Sequence, residues 1–134
     1  MSDPFVGEIR MFAGNFPPRG WALCDGQLLA VSQYDALFSL LGTIYGGNGS
    51  STFALPEMRG RIPVHPGSGP GLQSVRLGQK GGDNASRTTV TSDISINRGI
   101  AVNQTTKAIQ QPSNHPALCI NFIIALVGIY PSRS

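Results

Sequence analysis

The chain has 134 residues, 40% of them hydrophobic, enough for one buried core and too few for two comfortable domains. Only 13% are charged while Gly (17) and Pro (10) are abundant, a balance better suited to a surface partly covered in an assembly than to a fully solvated monomer. The net charge is +3, but the basic residues are scattered and form no basic stripe with exposed aromatics beside it, which argues against nucleic-acid binding.

Phe5–Ala13 alternates, with Phe5, Gly7, Ile9, Met11 and Ala13 on one face and Glu8 and Arg10 on the other, the pattern of a half-buried strand. Gly14–Gly20 breaks it with turn formers. Trp21–Cys24 reads as a second short strand, and Asp25-Gly26 predicts a two-residue hairpin into Gln27–Val31. The period then changes. Ser32 is placed as an N-cap with Asp35 as its capping-box partner, Leu37, Leu40, Leu41 and Ile44 follow helical spacing, and Gly42 closes the helix.

A Gly/Ser-rich loop leads into a strand at Thr52–Leu55. Pro56, Pro63 and Pro66 then exclude long regular elements around Arg59–Ile62. Pro66–Asn84 reads as an ordered loop against a neighbour, anchored by Leu72, Val75 and Leu77. Arg87–Asn97 alternates again, with Val90, Ser92, Ile94 and Ile96 inward, and Ile100, Val102 and Ile109 continuing such strands. This Thr/Ser/Asn-rich pattern buries little by itself, whereas three copies wound together share a narrow apolar seam. Cys119–Tyr130 is apolar on both faces and rich in β-branched residues. It is too short to span a bilayer and predicts a doubly buried or interfacial strand. Trp21, Phe53, the Leu37/Leu40/Leu41 face and Phe122–Ile129, including Ile124, are expected to form the core.

The expected fold is α+β, mainly β with one short capped helix: a compact core at 1–84, a short β-rich insertion at 85–117 that is exposed or trimer-forming, and a C-terminal strand at 118–134 completing the core. No export signal is expected, since Met1–Glu8 begins acidic and lacks an apolar segment. Without one, Cys24 and Cys119 are expected as free thiols.

Chemistry is sparse. His65 and His115 lie fifty positions apart without metal-ligand spacing, so no metal or cofactor is expected from one chain, although symmetry could gather copies of one His on an axis. Asp25 and Glu57 are the best pair of carboxylates for glycan cleavage. Asp25, however, precedes Gly26 as an ordinary turn residue, and Glu57 has Arg59 as an obvious ion partner. No Gly-x-Ser-x-Gly elbow is present, and neither glycine run has the Lys-Ser/Thr or helix start of a phosphate loop. The chain is expected not to be an enzyme. Arg59 and Arg61 suit bridges between loops or subunits, where a planar fork keeps its geometry.

At Ile9–Gln27 (Ile-Arg-Met-Phe-Ala-Gly-Asn-Phe-Pro-Pro-Arg-Gly-Trp-Ala-Leu-Cys-Asp-Gly-Gln) and Thr52–Val64 (Thr-Phe-Ala-Leu-Pro-Glu-Met-Arg-Gly-Arg-Ile-Pro-Val) the chain resembles the phage tail collar domain family. The likeness continues at Gly69–Leu72, Leu77–Gly82 and Leu118–Arg133. It implies a homotrimeric structural protein of a phage tail or a phage-tail-like contractile injection particle, made without a signal peptide in the bacterial cytoplasm. Its place would be at a baseplate, fibre or distal tip, among other tail proteins and near a host surface. Two rivals remain: a glycan- or receptor-binding tip, for which Trp21, Tyr45 and Tyr130 are the aromatic candidates, and a small hydrolase. The family's Met-Pro-x-His-x-His segment is missing, because Arg87–Asn97 holds no His, so axial metal binding does not carry over.

Overall fold

The computed structural model describes residues 2–82, 85–90, 107–112 and 116–133, the strands at 85–90 and 107–112 by their backbone alone. The elements run β1 (Ile9–Phe12), β2 (Trp21–Leu23), β3 (Leu28–Ala30), α1 (Asp35–Leu41), β4 (Thr52–Ala54), β5 (Ala85–Val90), β6 (Lys107–Pro112) and β7 (Asn121–Ala125). They fall into two units, Met1–Lys80 with Cys119–Ser134, and Gly81–Leu118. In the second unit β5 and β6 pair antiparallel, Ala85 opposite Pro112 and Val90 opposite Lys107. The expected alternation beyond Val90, with Ser92, Ile94, Ile96, Ile100 and Val102, lies outside the described residues, as does His115.

In the first unit β7 is the middle strand of an antiparallel sheet ordered β1-β7-β2. Ile124 stands opposite both Ile9 and Ala22, and Ile123 opposite Arg10 and Leu23. Successive side chains point to opposite faces, so an apolar run in the middle of a sheet satisfies both. One face receives Ile124 and joins it to Val6, Cys24, Leu37, Phe53 and Leu55, with Phe122, Leu126, Leu40 and Leu41 packed around them. Each large side chain buried there contributes roughly 1.5–3 kcal/mol relative to leaving it in water. Phe38 and Phe53 meet at 5.5 Å between ring centroids, within the range of favourable aromatic pairs.

The mainly β architecture with one short helix agrees with the sequence expectation; several local details do not. Asp25-Gly26 makes no hairpin between β2 and β3. β2 pairs with β7, and β3 pairs with β4, so the turn passes the chain from one sheet to another. Ser32 is not the N-cap. The N–H groups of Gln33 and Tyr34 both donate to the Ala30 carbonyl at 3.2 Å, and this turn delays the helix, whose N-cap is Tyr34 with no side-chain capping bond. Gly42 does close α1, its N–H donating to the Phe38 carbonyl at 2.7 Å.

Three core expectations also change. Ile9 and Met11 share the core-side face of the sheet, but β1 is its edge strand, and both stay exposed. Trp21 is half-buried and stands outside the core cluster, its side chain on the face of Ala125. The final strand stops at Ala125, leaving Val127, Ile129 and Tyr130 exposed, because the chain turns there and Ile129 forms a parallel bridge with Phe5.

Candidate functional site

The Cys-Asp-Gly turn and the Pro-Glu-Met segment are fastened to each other. Met58 N–H donates to the Cys24 carbonyl at 2.9 Å, Gly26 N–H to the Pro56 carbonyl at 3.2 Å, and Leu55 N–H to the Gln27 carbonyl at 3.0 Å. Asp25 and Glu57 face each other as an isolated antiparallel bridge. Gly26 has φ +71°, and a Cβ there would stand 2.9 Å from Glu57 Oε2, so both backbone and space demand glycine. The Gln27 side chain completes the turn, its amide donating to the Leu23 carbonyl at 2.9 Å.

On this platform Glu57 receives Arg59 as a fork. Arg59 Nε donates to Oε1 at 2.8 Å and Nη2 to Oε2 at 2.6 Å, while the Arg59 backbone N–H reaches Oε1 at 3.1 Å. The Arg59 side-chain bond holds the Glu57 carboxyl far below its ordinary range, at about 2, with the charge of Arg61 adding to the effect. The same pairing raises Arg59. A general acid for glycoside cleavage needs the opposite shift, so Glu57 stays ionised at neutral pH and unsuited to the role weighed for it. Arg61 donates to the Arg59 carbonyl at 3.1 Å. The contacts of both arginines among the described residues therefore staple the 57–61 segment itself.

From Arg61 to Lys80 the chain leaves the sheets as a proline- and glycine-rich arm, crossed by one isolated bridge, Gly67 with Val75. Ile62, Val64, Leu72 and Leu77 are 81%, 66%, 75% and 57% exposed along it. The arm returns at Gly78, where φ is +83° and a Cβ would lie 2.6 Å from Ile44 Cγ2 and 2.8 Å from the Ile44 carbonyl oxygen. This approach closes a cleft of about 190 Å³ between the arm and the Pro56–Met58 platform, walled by Tyr45, Met58, Arg61, Val64, Leu77 and Lys80 among others. Small-molecule sites usually enclose about 300–1,000 Å³, so this one is sized for a side chain rather than for a substrate. Sequence reading named Leu77 only as an anchor of its loop and gave Met58 and Lys80 no role; the glycine at Leu77-Gly78 was the available signal.

The other candidates stand apart from the cleft. Trp21 has one ring face occupied by Arg10, whose guanidinium carbon lies 5.2 Å from the ring centroid. Arg10 is in turn paired with Glu8, whose carboxyl it holds below the ordinary range. The Tyr130 hydroxyl lies 2.6 Å from that of Ser39 on α1. Tyr45 alone of the three aromatics walls the cleft, and burial pushes its hydroxyl up. Phe122 packs against the core and Ile124 is enclosed in it. His65 sits exposed on the arm. Both cysteines are free thiols, Cys24 buried and pushed up to about 12 by burial and then by Asp25, Cys119 exposed.

The β2–turn–β3 crossing and the fork-bearing platform after β4 lie within one continuous stretch, residues 7–63, and that stretch matches the model of the Phage Tail Collar Domain. In that stretch the chain is similar to the phage tail collar domain family. The chain is 37% identical over 73 residues to the short tail fiber protein gp12 of Enterobacteria phage T4, covering 54% of this chain and 14% of that protein. It is also 40% identical over 45 residues to Protein RhiB of Rhizobium leguminosarum bv. viciae, covering 31% of this chain and 20% of that one. The chain thus spans a fifth or less of the length of these relatives.

Proposed function

We propose that the chain is a non-enzymatic structural part of a phage tail or of a phage-tail-like contractile injection particle. In this reading it works as an intertwined homotrimer at a baseplate, fibre or distal tip, alongside other tail proteins, and serves assembly or host attachment. The similarity to the collar domain family and the likeness to a short tail fibre protein support the class. The observation that carries the assembly role is the apolar surface. Among the described residues fifteen large hydrophobic side chains are exposed, whereas nine hydrophobic residues are buried. Several of the exposed ones lie on an arm with almost no internal ladder, which gains little by folding against water alone.

Mass measurement in solution at micromolar concentration tests the reading. Three chains per particle are expected, with the species dissociating and unfolding together on dilution. A well-folded monomer at that concentration would sink it. Leu72→Asp, far from the core cluster, should break the oligomer and lose secondary structure with it.

A further inference from the structure

The cleft between the arm and the platform has a composition of its own. Its walls are apolar, from Met58, Val64 and Leu77, and two cations, Arg61 and Lys80, line it. Glu57 also lines it, but both of its oxygens are engaged by Arg59. Among the described residues neither Arg61 nor Lys80 has a carboxylate partner; the one side-chain bond of Arg61 goes to a backbone carbonyl. A cationic lining over an apolar pocket, in a chain of net charge +3, is complementary to one chemistry in particular.

We propose that this cleft is a docking site for an acidic-apolar peptide segment of a neighbouring protein, one bulky aliphatic side chain flanked by carboxylates. The aliphatic group enters between Met58, Val64 and Leu77, and the carboxylates meet Arg61 and Lys80. Hydroxyl-rich ligands fit less well, because the carboxylate that would accept their hydrogen bonds is already occupied. A volume of about 190 Å³ admits a single side chain, so the cleft acts as a socket for an anchor within a wider contact. The proposal rests on the assembly reading only for the source of the segment.

The chain holds three methionines, and two of them, Met58 in the cleft and Met11 on the edge strand, give a probe and an internal control. With ¹³C-methyl methionine in the full chain, an acetylated, amidated Asp-Leu-Asp peptide should move the Met58 methyl signal saturably and leave Met11 in place. An Asn-Leu-Asn peptide should bind about tenfold or more weakly, and so should Asp-Leu-Asp with the Arg61→Gln/Lys80→Gln variant. Should that variant fail to fold, raising salt from about 0.05 M to about 0.5 M on the unaltered chain should weaken the acidic peptide and spare the neutral one. Equal binding of both peptides, a response at Met11, or no response at Met58 would overturn the proposal. So would a Met58 shift driven by chain concentration alone, which would make a second copy the occupant, or by a uronic acid when the peptide has no effect. A trimer indifferent to the peptide removes this inference and leaves the assembly reading; a monomer that binds the peptide does the reverse.

Discussion

Ile123 and Ile124 are neighbours in β7, point to opposite faces of the sheet, and are both buried. Ile124 belongs to the core with Leu37 and Phe53, while Ile123 lies in register with Arg10 and Leu23 on the other side. Where the strand is closed on both faces, at Ile123–Ala125, no position makes a polar side chain cheap.

Ile124→Ala should therefore cost about 2–5 kcal/mol, read from a urea unfolding midpoint at unchanged slope. Ile124→Asp should abolish the soluble folded chain, since an unpaired carboxylate would be enclosed by apolar neighbours. Normal yield and stability of Ile124→Asp would place the strand outside the core.

Acid should weaken the fold through Glu57. Its carboxyl titrates at about 2 in the folded chain against an ordinary 4.5, so the unfolded chain takes up the proton first as pH falls. The stabilisation is complete above the unfolded value and is lost as pH drops through that window toward the folded one. Glu8, lowered by Arg10, acts in the same direction. Glu57→Gln should flatten part of this acid limb in a series of melts while changing little between neutral pH and pH 8. An unchanged acid limb would mean the fork with Arg59 does not persist in solution.

Gly78→Ala should loosen the arm without unfolding the sheets. Left-handed backbone costs a β-carbon residue roughly 1–2 kcal/mol, and here the new methyl also meets Ile44. Hydrogen exchange at the Gly67–Val75 bridge should speed up while the β1-β7 amides keep their protection. Equal acceleration in both places would show that the arm and the sheets open together.

The thiols should separate in a labelling experiment. Cys119 is exposed and should react promptly with a thiol reagent, whereas Cys24, buried and pushed up to about 12, should wait for denaturant. Prompt labelling of both would contradict the packing of the Cys-Asp-Gly turn.

What was legible in the chain follows the range of the interactions involved. Leu37, Leu40 and Leu41 mark one helix face because the helical period is local, and Cys119–Tyr130 announces a doubly covered strand, which the structure forms at Asn121–Ala125, because both alternating sets are nearly apolar. Asp25-Gly26 misled for the converse reason. The dipeptide reports turn chemistry, and the turn is present, but which strands flank a turn is settled by pairing with β7 and β4, distant in sequence. Ile9 and Met11 alternate correctly yet stay exposed, since alternation names a face and cannot say how far the cover over that face extends. Trp21 looked like core by size, and its actual partner, Arg10, is fixed by register across β7. The cleft was invisible for a similar reason: Gly78 matters only because Ile44 comes within reach of it.

β1 and β2 never pair with each other; each is held by β7 alone, and β7 lies nearly a hundred residues further along the chain. A ribosome making this protein therefore releases two edge strands long before their shared partner exists. The sheet closes only once Ala125 has emerged, after the whole of Gly81–Leu118 has been synthesised. Chains cut short inside that segment would carry two unsatisfied edges and an open core, the very surfaces that aggregate or recruit chaperones. Emergence of β7 is thus built in as a checkpoint: a copy cut before it cannot make the sheet on which the subunit depends.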